Sequence, residues 1–560
     1  MTIRDVDAIA RRPSRVRSIG DWLALPLILL GYFWLALGYA RETPAWQVPD
    51  EPAHYNNVLQ RAVSGPAPII EAGDYPFARL EALKADRFAN SGPDGIRGIE
   101  YEDHQPPLYY ELAALLLEAQ PEPVDPARYE GETAPAAVVA ERVRLLRLLG
   151  MVLGACTVLL AWAVASTVAP GDLPLRVGVT AFAAFLPMQL VMNAAVNNDP
   201  LAIALTATAL LVALRRVGRE PRGGEGWRGA LLPGLLIGLA ALTKLSALLP
   251  TVVVLLAAEW LGMGRMGRMG RMRSGGASAA DPLRDRESSS PIGPISPISP
   301  ISPIGPIRPI SPASPIAPAP LRSPFRPRLR HTAVMLVLGL LLATPWLAHN
   351  VRQYGWRDPL ALAAHDRATV CPPEDGAGCQ PRTADWIAEK GLADLLERGA
   401  VLTFQSFWGV FGWMGVFLGT AKGVPIYGAL ALSSLLALAG LLPVLRRWRR
   451  WPERLQAQSL ILVLHLAVTA GGFLWYNLTF VQHQGRYLLP ALLPLALAYC
   501  AGLRGAVGAV AGRLGVSASR ARGIGNLGLL VHSAALATLA WLSLRSYIIP
   551  GLGGHPGPGG

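Results

Sequence analysis

The stretch Val48-Pro49-Asp50-Glu51-Pro52-Ala53-His54-Tyr55 directly follows the first long apolar run of the chain. Two adjacent carboxylates and an imidazole at the end of a membrane span are costly unless they face water, a partner or a substrate. Pro52 suits the first turn of a helix, which we expect to run to about Leu59. A plainer interpretation is that Asp50 or Glu51 only caps this helix. The polar residues at the other span ends bear on that choice.

The composition predicts a polytopic membrane protein. Of the 560 residues, 52% are apolar, and the mean hydropathy is +0.34. Several apolar runs approach or exceed the roughly 20 residues that cross a bilayer. The net charge of +13 does not indicate a nucleic-acid partner, because the arginines cluster beside the apolar runs, as the positive-inside rule describes. No small-residue cleavage site follows the basic N-terminus, so we expect a retained first span.

The alternation of apolar runs and arginine-rich loops predicts an all-α bundle of about 11 transmembrane helices, with juxtamembrane helices in its outer loops. The apolar run over 229–262 is divided into two spans, with Lys244 at the outer turn. A Pro-Ile-Ser/Gly repeat blocks helix and sheet, which predicts a disordered insert. The predicted segments are a basic cytoplasmic N-terminus over 1–20, a membrane region over 21–262 with outer loop 41–143, a cytoplasmic insert over 263–330, a membrane region over 331–548 with outer loop 349–424, and a flexible tail over 549–560.

Polar and aromatic residues gather at the outer ends of these spans. The inner ends carry mainly arginine, whereas the outer ends mix acids, amides, imidazoles and single cations, which is typical of a functional site. Each residue alone has a structural explanation, since Asp199 would cap a helix and His54 would be an interfacial histidine. Together they predict one site on the outer face, formed by Asp50, Glu51, His54, His104, Gln105, Asn198, Asp199, Lys244, Arg352, Trp408, His483, Arg486 and Tyr487.

The cysteines support the same orientation. Cys371 and Cys379 share a short loop rich in Pro and Gly on the predicted outer side. We expect a disulfide there, which fits an oxidising compartment. Zinc binding is less favoured, because no third and fourth ligand lie at zinc spacing. Cys156 and Cys500 fall within spans and are expected to pack.

Six motifs resemble, in the same order, those of the bacterial GT-C glycosyltransferases, which are related to protein O-mannosyltransferases and aminoarabinose transferases. The resemblance covers nearly the whole chain except 263–330. It implies a transferase that moves a sugar from a polyprenyl-phosphate donor to a lipid, glycan or protein of the envelope, at the outer face of the bacterial cytoplasmic membrane. The motifs are PDEPAHYN at 49–56, HQPPLYY at 104–110, NDPL at 198–201, LTK at 242–244, FWGVFGW at 407–413 and GRYLLP at 485–490.

The resemblance also implies roles for individual residues. It assigns the essential acid to Asp50, with Glu51 beside it and Asp199 as a second acid. The chemistry agrees, because an acceptor hydroxyl needs a carboxylate to take its proton, and a lipid-phosphate leaving group needs cations. The candidate cations are Lys244, Arg352 and Arg486, and His54, His104 and His483 are candidates to bind sugar hydroxyls or a metal ion. Such donors generally need no metal, so no cofactor is assigned, and the expected partners are donor, acceptor and membrane lipids.

Two other classes of protein share part of this pattern. A transporter or lipid flippase would carry charges within its spans and internal repeats, and neither is clear in the sequence. A ligase or polymerase of surface polysaccharide shares the donor and the location, and it is the nearer alternative.

Overall fold

The computed structural model describes residues 19–64, 67–89, 93–120, 135–218, 227–275, 325–369, 382–419 and 425–553. These ranges are mainly helical, with one antiparallel hairpin of two-residue strands. The elements are α1 (Ile19–Glu42), α2 (Glu51–Ser64), α3 (Phe77–Ala85), α4 (Leu108–Glu118), α5 (Ala136–Val168), α6 (Leu173–Phe185), α7 (Pro187–Asn193), α8 (Asp199–Gly218), α9 (Leu231–Ala241), α10 (Leu245–Gly275), α11 (Phe325–Tyr354), α12 (Leu362–Ala368), α13 (Thr383–Trp408), β1 (Val410–Phe411), β2 (Val416–Phe417), α14 (Ile426–Arg446), α15 (Glu453–Asn477), α16 (Leu492–Arg513), α17 (Ala518–Leu542) and α18 (Ile549–Leu552).

The chain is a helical multi-pass membrane protein. Eight helices of its described part are long and apolar enough to cross a membrane, and α6 with α7 would make a ninth. These two helices meet at Pro187 with a bend of 55°, where proline has no amide hydrogen to continue the helix. The stretch predicted as spans five and six forms two shorter apolar helices, Trp227–Ala241 and Leu245–Leu261. The helical class is therefore confirmed, and the count of about 11 is not.

Close backbone contacts hold the spans together. A Cβ added at Gly440 of α14 would meet the backbone oxygen of Gly502 in α16, so this pair of helices requires glycine. A Cβ at Gly154 of α5 would likewise collide with the Tyr32 hydroxyl and the Asn193 amide. Small residues of this kind let two helices pack closely. Close packing matters in a membrane because the hydrophobic effect does not drive helices together there.

The segment predicted as the first outer loop forms a small folded layer of its own. Helices α2, α3 and α4 enclose an aromatic core that includes Trp46, Tyr55 and Tyr109. Asn56 of α2 donates to the carbonyls of Ile96 and Ile99 at 2.7 and 3.0 Å. These bonds fix the segment that leads into residues 101–105. Loop and membrane bundle also join directly, because Leu108 donates its amide to the Leu242 carbonyl at 2.7 Å.

The second outer loop sends an aromatic side chain into the core. Trp408, at the end of α13, is 2% exposed and packs edge-on against Phe182, Phe407 and Tyr499. The sequence predicted that Trp408 binds substrate, and the structure corrects this, because its ring is enclosed by apolar side chains. Trp413 in the following hairpin instead reaches the first loop, where its Nε1 donates to the Trp46 carbonyl at 2.8 Å.

Arg216, Glu259 and His331 form a cluster, the inner clamp, at the predicted inner end of the bundle, in which Glu259 is buried and Arg216 and His331 are partly buried. Arg216 of α8 pairs with Glu259 of α10, and His331 Nδ1 of α11 lies 3.4 Å from Glu259 Oε1. Glu259 precedes the predicted insert and His331 follows it. Helix α10 continues to Gly275 and α11 begins at Phe325, so the clamp holds both flanks together.

Four other sequence predictions fall partly or wholly beyond the described residues. Of the insert predicted as disordered over 263–330, residues 263–275 and 325–330 are helical, as the ends of α10 and α11, and residues 276–324 lie outside the described ranges. The Cys371–Cys379 disulfide and residues 1–18 also lie outside them. The predicted tail over 549–560 begins with helix α18, whose Leu552 is buried. The tail therefore contributes to the packed bundle at its start.

Deleting residues 276–322 is expected to leave the amount of folded protein and its unfolding temperature unchanged. The inner clamp keeps α10 and α11 together without the insert. The control is the same deletion with Glu259→Gln, which leaves Arg216 without its charge partner and should cost about 3–5 kcal/mol. Thermal unfolding in detergent measures both. Loss of folded protein from the deletion alone would contradict the prediction.

Candidate active site

Two carboxylate–cation pairs form the centre of the candidate site. Asp50 pairs with Arg486, and Asp199 pairs with Lys244 at 2.5 Å between Oδ1 and Nζ. All four residues lie at ends of helices or in the turns beside them, as the sequence predicted. Asp50 and Arg486 are 436 residues apart in the chain.

The backbone of Asp50 begins helix α2 from an unusual conformation. Its φ is +69°, in the left-handed region that Asp and Asn tolerate better than most residues. Its carbonyl accepts the amide of His54 at 3.0 Å, which closes the first helical turn. Asp50 is therefore fixed by the backbone at the N-terminus of the helix and lies at its positive end.

Both carboxylate oxygens of Asp50 are engaged. Oδ1 accepts the Tyr101 hydroxyl at 2.9 Å, and Oδ2 accepts from Arg486 Nη2. Burial raises the pKa of Asp50, but the Arg486 charge, a smaller contribution from His54 and these two hydrogen bonds together bring it below the usual range. Asp50 is thus an ionised carboxylate that holds a buried guanidinium.

Asp199 and Lys244 are held by the ends of three helices. Asp199 is the first residue of α8, and its amide bonds the Asn197 side chain at 2.9 Å. Lys244 sits in the break between α9 and α10, where its amide bonds the Ala240 carbonyl at 3.1 Å. The charges of Lys244, Asp50 and Asp199 all act on His54. Both ion pairs therefore contribute to the electrostatic environment of one imidazole.

Neutral side chains connect these pairs to the outer loop. His54 Nδ1 lies 2.8 Å from the Tyr110 hydroxyl, which is 3.4 Å from Asn198 Nδ2. Asn198 also donates to Gln105 Oε1 at 3.2 Å, and Gln105 Nε2 lies 3.3 Å from His104 Nε2. Burial lowers the pKa of His54, and it lowers that of His104 to about 4. Both imidazoles are therefore neutral hydrogen-bonding groups at neutral pH.

Sequence reasoning missed Glu102, which belongs to the same cluster. One of its oxygens bonds Gln105, whereas Oε2 is buried and has no hydrogen-bond partner among the described residues. Burial raises the pKa of Glu102, and the nearby charge of Asp50 adds to that effect. The adjacent Asp103 instead accepts from Gln60 at 3.0 Å. The run from Tyr101 to Gln105 was visible in the sequence, but nothing in it indicates which acid faces the site.

Arg352, His483 and Tyr487 occupy different positions. Arg352 is exposed on the last turn of α11. His483 lies against α13, where a Cβ added at Gly399 would come within 3.2 Å of its Nε2. Tyr487 does join the cluster, since its hydroxyl is 3.5 Å from Arg486 Nη2.

Glu51 turns away from the site and is fully buried. Its two oxygens accept from Arg147 Nε and Nη2 at 2.8 and 2.7 Å, and also from the amides of Val196 and Trp46. Arg147 in turn donates to the Ala40 and Thr43 carbonyls at the end of α1. Glu51 was predicted to be catalytic, but both of its carboxylate oxygens accept hydrogen bonds from Arg147 and from backbone amides, which is a structural role.

Glu51→Gln is therefore expected to destabilise the protein by about 3–5 kcal/mol, because it leaves a buried guanidinium without its charge. Thermal unfolding in detergent measures this loss. The matched control is the double variant Glu51→Leu with Arg147→Met, which removes both charges and should recover part of the stability. A Glu51→Gln protein as stable as the wild type would contradict the structural role.

A groove of about 320 Å³ lies beside the cluster, between α4 and α11. Its polar side is the ion pair of Arg61 with Glu111, at 2.5 Å, and the Arg61 guanidinium lies 5.8 Å from the Tyr110 ring centre. Its other side is mainly apolar, with Leu342, Trp346 and the imidazole of His349. The groove thus combines a charged and an apolar wall. Within the described ranges, no group of three His, Cys, Asp or Glu residues could hold a metal ion.

Comparison with known proteins gives little further information. No protein-family model and no curated protein matches the sequence. The solved structures it is similar to include the Archaeoglobus fulgidus oligosaccharyltransferase with zinc and sulfate, at 15% identity over 92% of this chain and 52% of that one, with a TM-score of 0.40. They also include ArnT from Cupriavidus metallidurans bound to undecaprenyl phosphate, at 14% identity over 96% of this chain and 74% of that one, with a TM-score of 0.39.

The chain spans about half the length of that oligosaccharyltransferase. TM-scores near 0.4 are too low to carry an argument. The functional proposal is therefore built on the side chains of the site and on the motifs of the sequence.

Proposed function

We propose that the chain is an integral-membrane glycosyltransferase of the GT-C type, which moves a sugar from a polyprenyl-phosphate donor to an envelope acceptor. The observation that carries the proposal is the presence of two ion pairs, Asp50–Arg486 and Asp199–Lys244, whose charges both act on His54. Phosphate departure requires cations, and hydroxyl attack requires carboxylates. The order of the sequence motifs supports the same class.

In this proposal the donor phosphate binds between Arg486 and Lys244. Arg486 presents a planar fork that suits a phosphate, and Lys244 adds a point charge. In this arrangement the phosphate shares Arg486 with Asp50, whose carboxylate stays paired with the guanidinium. The neutral His54, Asn198 and Tyr487 supply hydrogen bonds to sugar hydroxyls.

The site is proposed to face the exterior of the cytoplasmic membrane. Reporter fusions near residues 90, 375 and 483 should report the outside, and a fusion near 300 should report the cytoplasm. The physical reason is the excess of arginine in the inner loops. If the fusions near 90 and 300 reported the same side, the outer location would be wrong.

The transferase reaction is tested with the purified full-length protein and a panel of radiolabelled polyprenyl-phosphate hexoses and pentoses. We expect release of label from the donor to an added envelope lipid extract, and slower release to water. The Arg486→Ala protein serves as a control with weakened activity, and a reaction without protein gives the background. A folded wild-type protein that released no label from any donor would contradict the proposed function.

A further inference from the structure

Glu102 is the carboxylate of the cluster with an unoccupied oxygen. Asp50 is bound through both oxygens, and Asp199 is held by Lys244. Glu102 Oε2 is buried and accepts no hydrogen bond from the described residues. A buried oxygen without a donor is costly. A buried carboxylate oxygen placed among ion pairs can accept a hydrogen bond from a substrate hydroxyl.

Glu102 lies among the charged and aromatic groups of the site. It interacts electrostatically with Asp50 before α2, His54 in α2, Tyr101 beside it, Tyr110 in α4, Lys244 between α9 and α10, Tyr476 in α15 and Tyr487 after it. The cation of this set, Lys244, is already paired with Asp199. Among the described residues, Glu102 therefore carries no ion pair of its own.

Asp50 is poorly suited to accept a proton in the state described. Protonation of Asp50 would remove the charge that balances Arg486, and a buried cation without its partner is strongly unfavourable. Protonation of Glu102 breaks no ion pair. It also relieves the repulsion between two neighbouring carboxylates, Glu102 and Asp50.

From this geometry we propose that Glu102 Oε2 receives the proton of the acceptor hydroxyl, whereas Asp50 stays ionised and positions Arg486. The inference rests on the proposed function and assigns the proton acceptor within that same site. It moves this role from Asp50, where the sequence put it, to a residue that the sequence motifs did not single out.

The step balances as a single displacement. The acceptor O–H bond breaks and its proton goes to Glu102 Oε2. The acceptor oxygen uses the released electron pair to bond the anomeric carbon. The bond from that carbon to the phosphate oxygen breaks, and its electron pair leaves with the lipid phosphate beside Arg486 and Lys244. Glu102 then returns its proton to water or to the departing phosphate.

The test compares Glu102→Gln with Glu100→Gln, a control two residues earlier whose backbone amide bonds Asp74. Donor turnover is followed with the radiolabelled polyprenyl-phosphate sugars across pH. We expect Glu102→Gln to lower kcat by about 10²–10⁴, the usual worth of a general base, and to leave the KM for the donor unchanged. Glu100→Gln should behave as wild type.

The pH profile separates the two acids. A protonated carboxyl cannot accept a proton, so wild-type kcat/KM should fall as the pH drops through the raised pKa of Glu102. This acid limb should vanish in Glu102→Gln and persist in the residual activity of Asp50→Asn. If Glu102→Gln does not fold, Glu102→Asp replaces it, with lower kcat and unchanged KM expected.

Full kcat in Glu102→Gln, or an acid limb that persists in it, would overturn the inference. A variant that loses only donor affinity would also overturn it, because that result assigns Glu102 to binding. These outcomes require an active wild type. A wild-type protein that transfers no sugar from any donor contradicts the proposed function instead, so the two failures are distinguishable.

Discussion

Asp50→Asn should lower turnover by at least about 10²-fold, which is the usual cost of removing a positioned carboxylate or a charged group at the reacting centre. Asn tolerates the left-handed backbone of this position and can still accept the Tyr101 hydroxyl. The change therefore removes the negative charge beside Arg486 while keeping the shape of the turn. Sugar release from the donor measures the effect.

Asp366→Asn is the matched control for this substitution. Asp366 pairs with Arg382 at 2.5 Å, but its side chain is 48% exposed. An exposed pair of this kind contributes at most about 1 kcal/mol, so turnover should not change. If Asp50 served only as a helix cap, Asn would replace it nearly as well. An Asp50→Asn protein with full activity would contradict the catalytic role, and Asp199→Asn would then be the next variant to measure.

Arg486→Ala should weaken use of the donor by about 2–5 kcal/mol in kcat/KM, as expected when one partner of a buried charge pair is removed. Arg486→Lys should restore little, because an ammonium cannot form the planar fork that binds a phosphate through two hydrogen bonds. Lys244→Ala should have a similar but separate effect, since Lys244 pairs with Asp199 and not with Asp50. Donor concentration series for each variant measure kcat and KM.

The control for this series is Arg382→Ala, which removes the cation of the exposed pair with Asp366. A double-mutant cycle between Arg486→Ala and Asp50→Asn should show strong coupling, because the two side chains are in direct contact. Normal donor kinetics in Arg486→Ala and Lys244→Ala would place the phosphate elsewhere, and the exposed Arg352 would be the next cation to substitute.

Much of the candidate site follows from the sequence because topology alone brings the span ends together. Asp50, Asn198, Lys244 and Arg486 were grouped on one face by loop charge, without any knowledge of which side chains touch. The pairing itself could not be predicted. It depends on how far each helix end extends, and hydropathy does not fix that position to within a residue.

The sequence predictions and the structure differ where the side chains of adjacent residues point in different directions. Asp50 and Glu51 are adjacent, yet the left-handed backbone at Asp50 separates their side chains, so one meets Arg486 and the other meets Arg147. Glu102 and Asp103 also have different partners, since Asp103 accepts from Gln60. Trp408 is a second example. An aromatic residue in a loop can stack on a sugar or pack in the protein core, and the sequence alone does not distinguish these two roles.

The continuity of the spans could be predicted at one point and not at another. Hydropathy measures how apolar a stretch is, but not whether its helix is continuous. The break at Lys244 was predicted and is present, whereas the bend at Pro187 divides an apolar run that looks uniform in composition. The break at Lys244 lies in the candidate site, where backbone freed from helix can be satisfied by polar side chains.

The inner clamp makes the region between Glu259 and His331 a natural position for grafting a foreign domain. Because α10 and α11 are fastened to each other before the connecting segment begins, a fused fluorescent protein or affinity module would transmit little strain to the bundle. The fused domain would also lie at the end of the helix bundle opposite the ion pairs of the candidate site. The same arrangement explains how a chain can acquire a long repetitive segment there without rearranging the helices on which its chemistry depends.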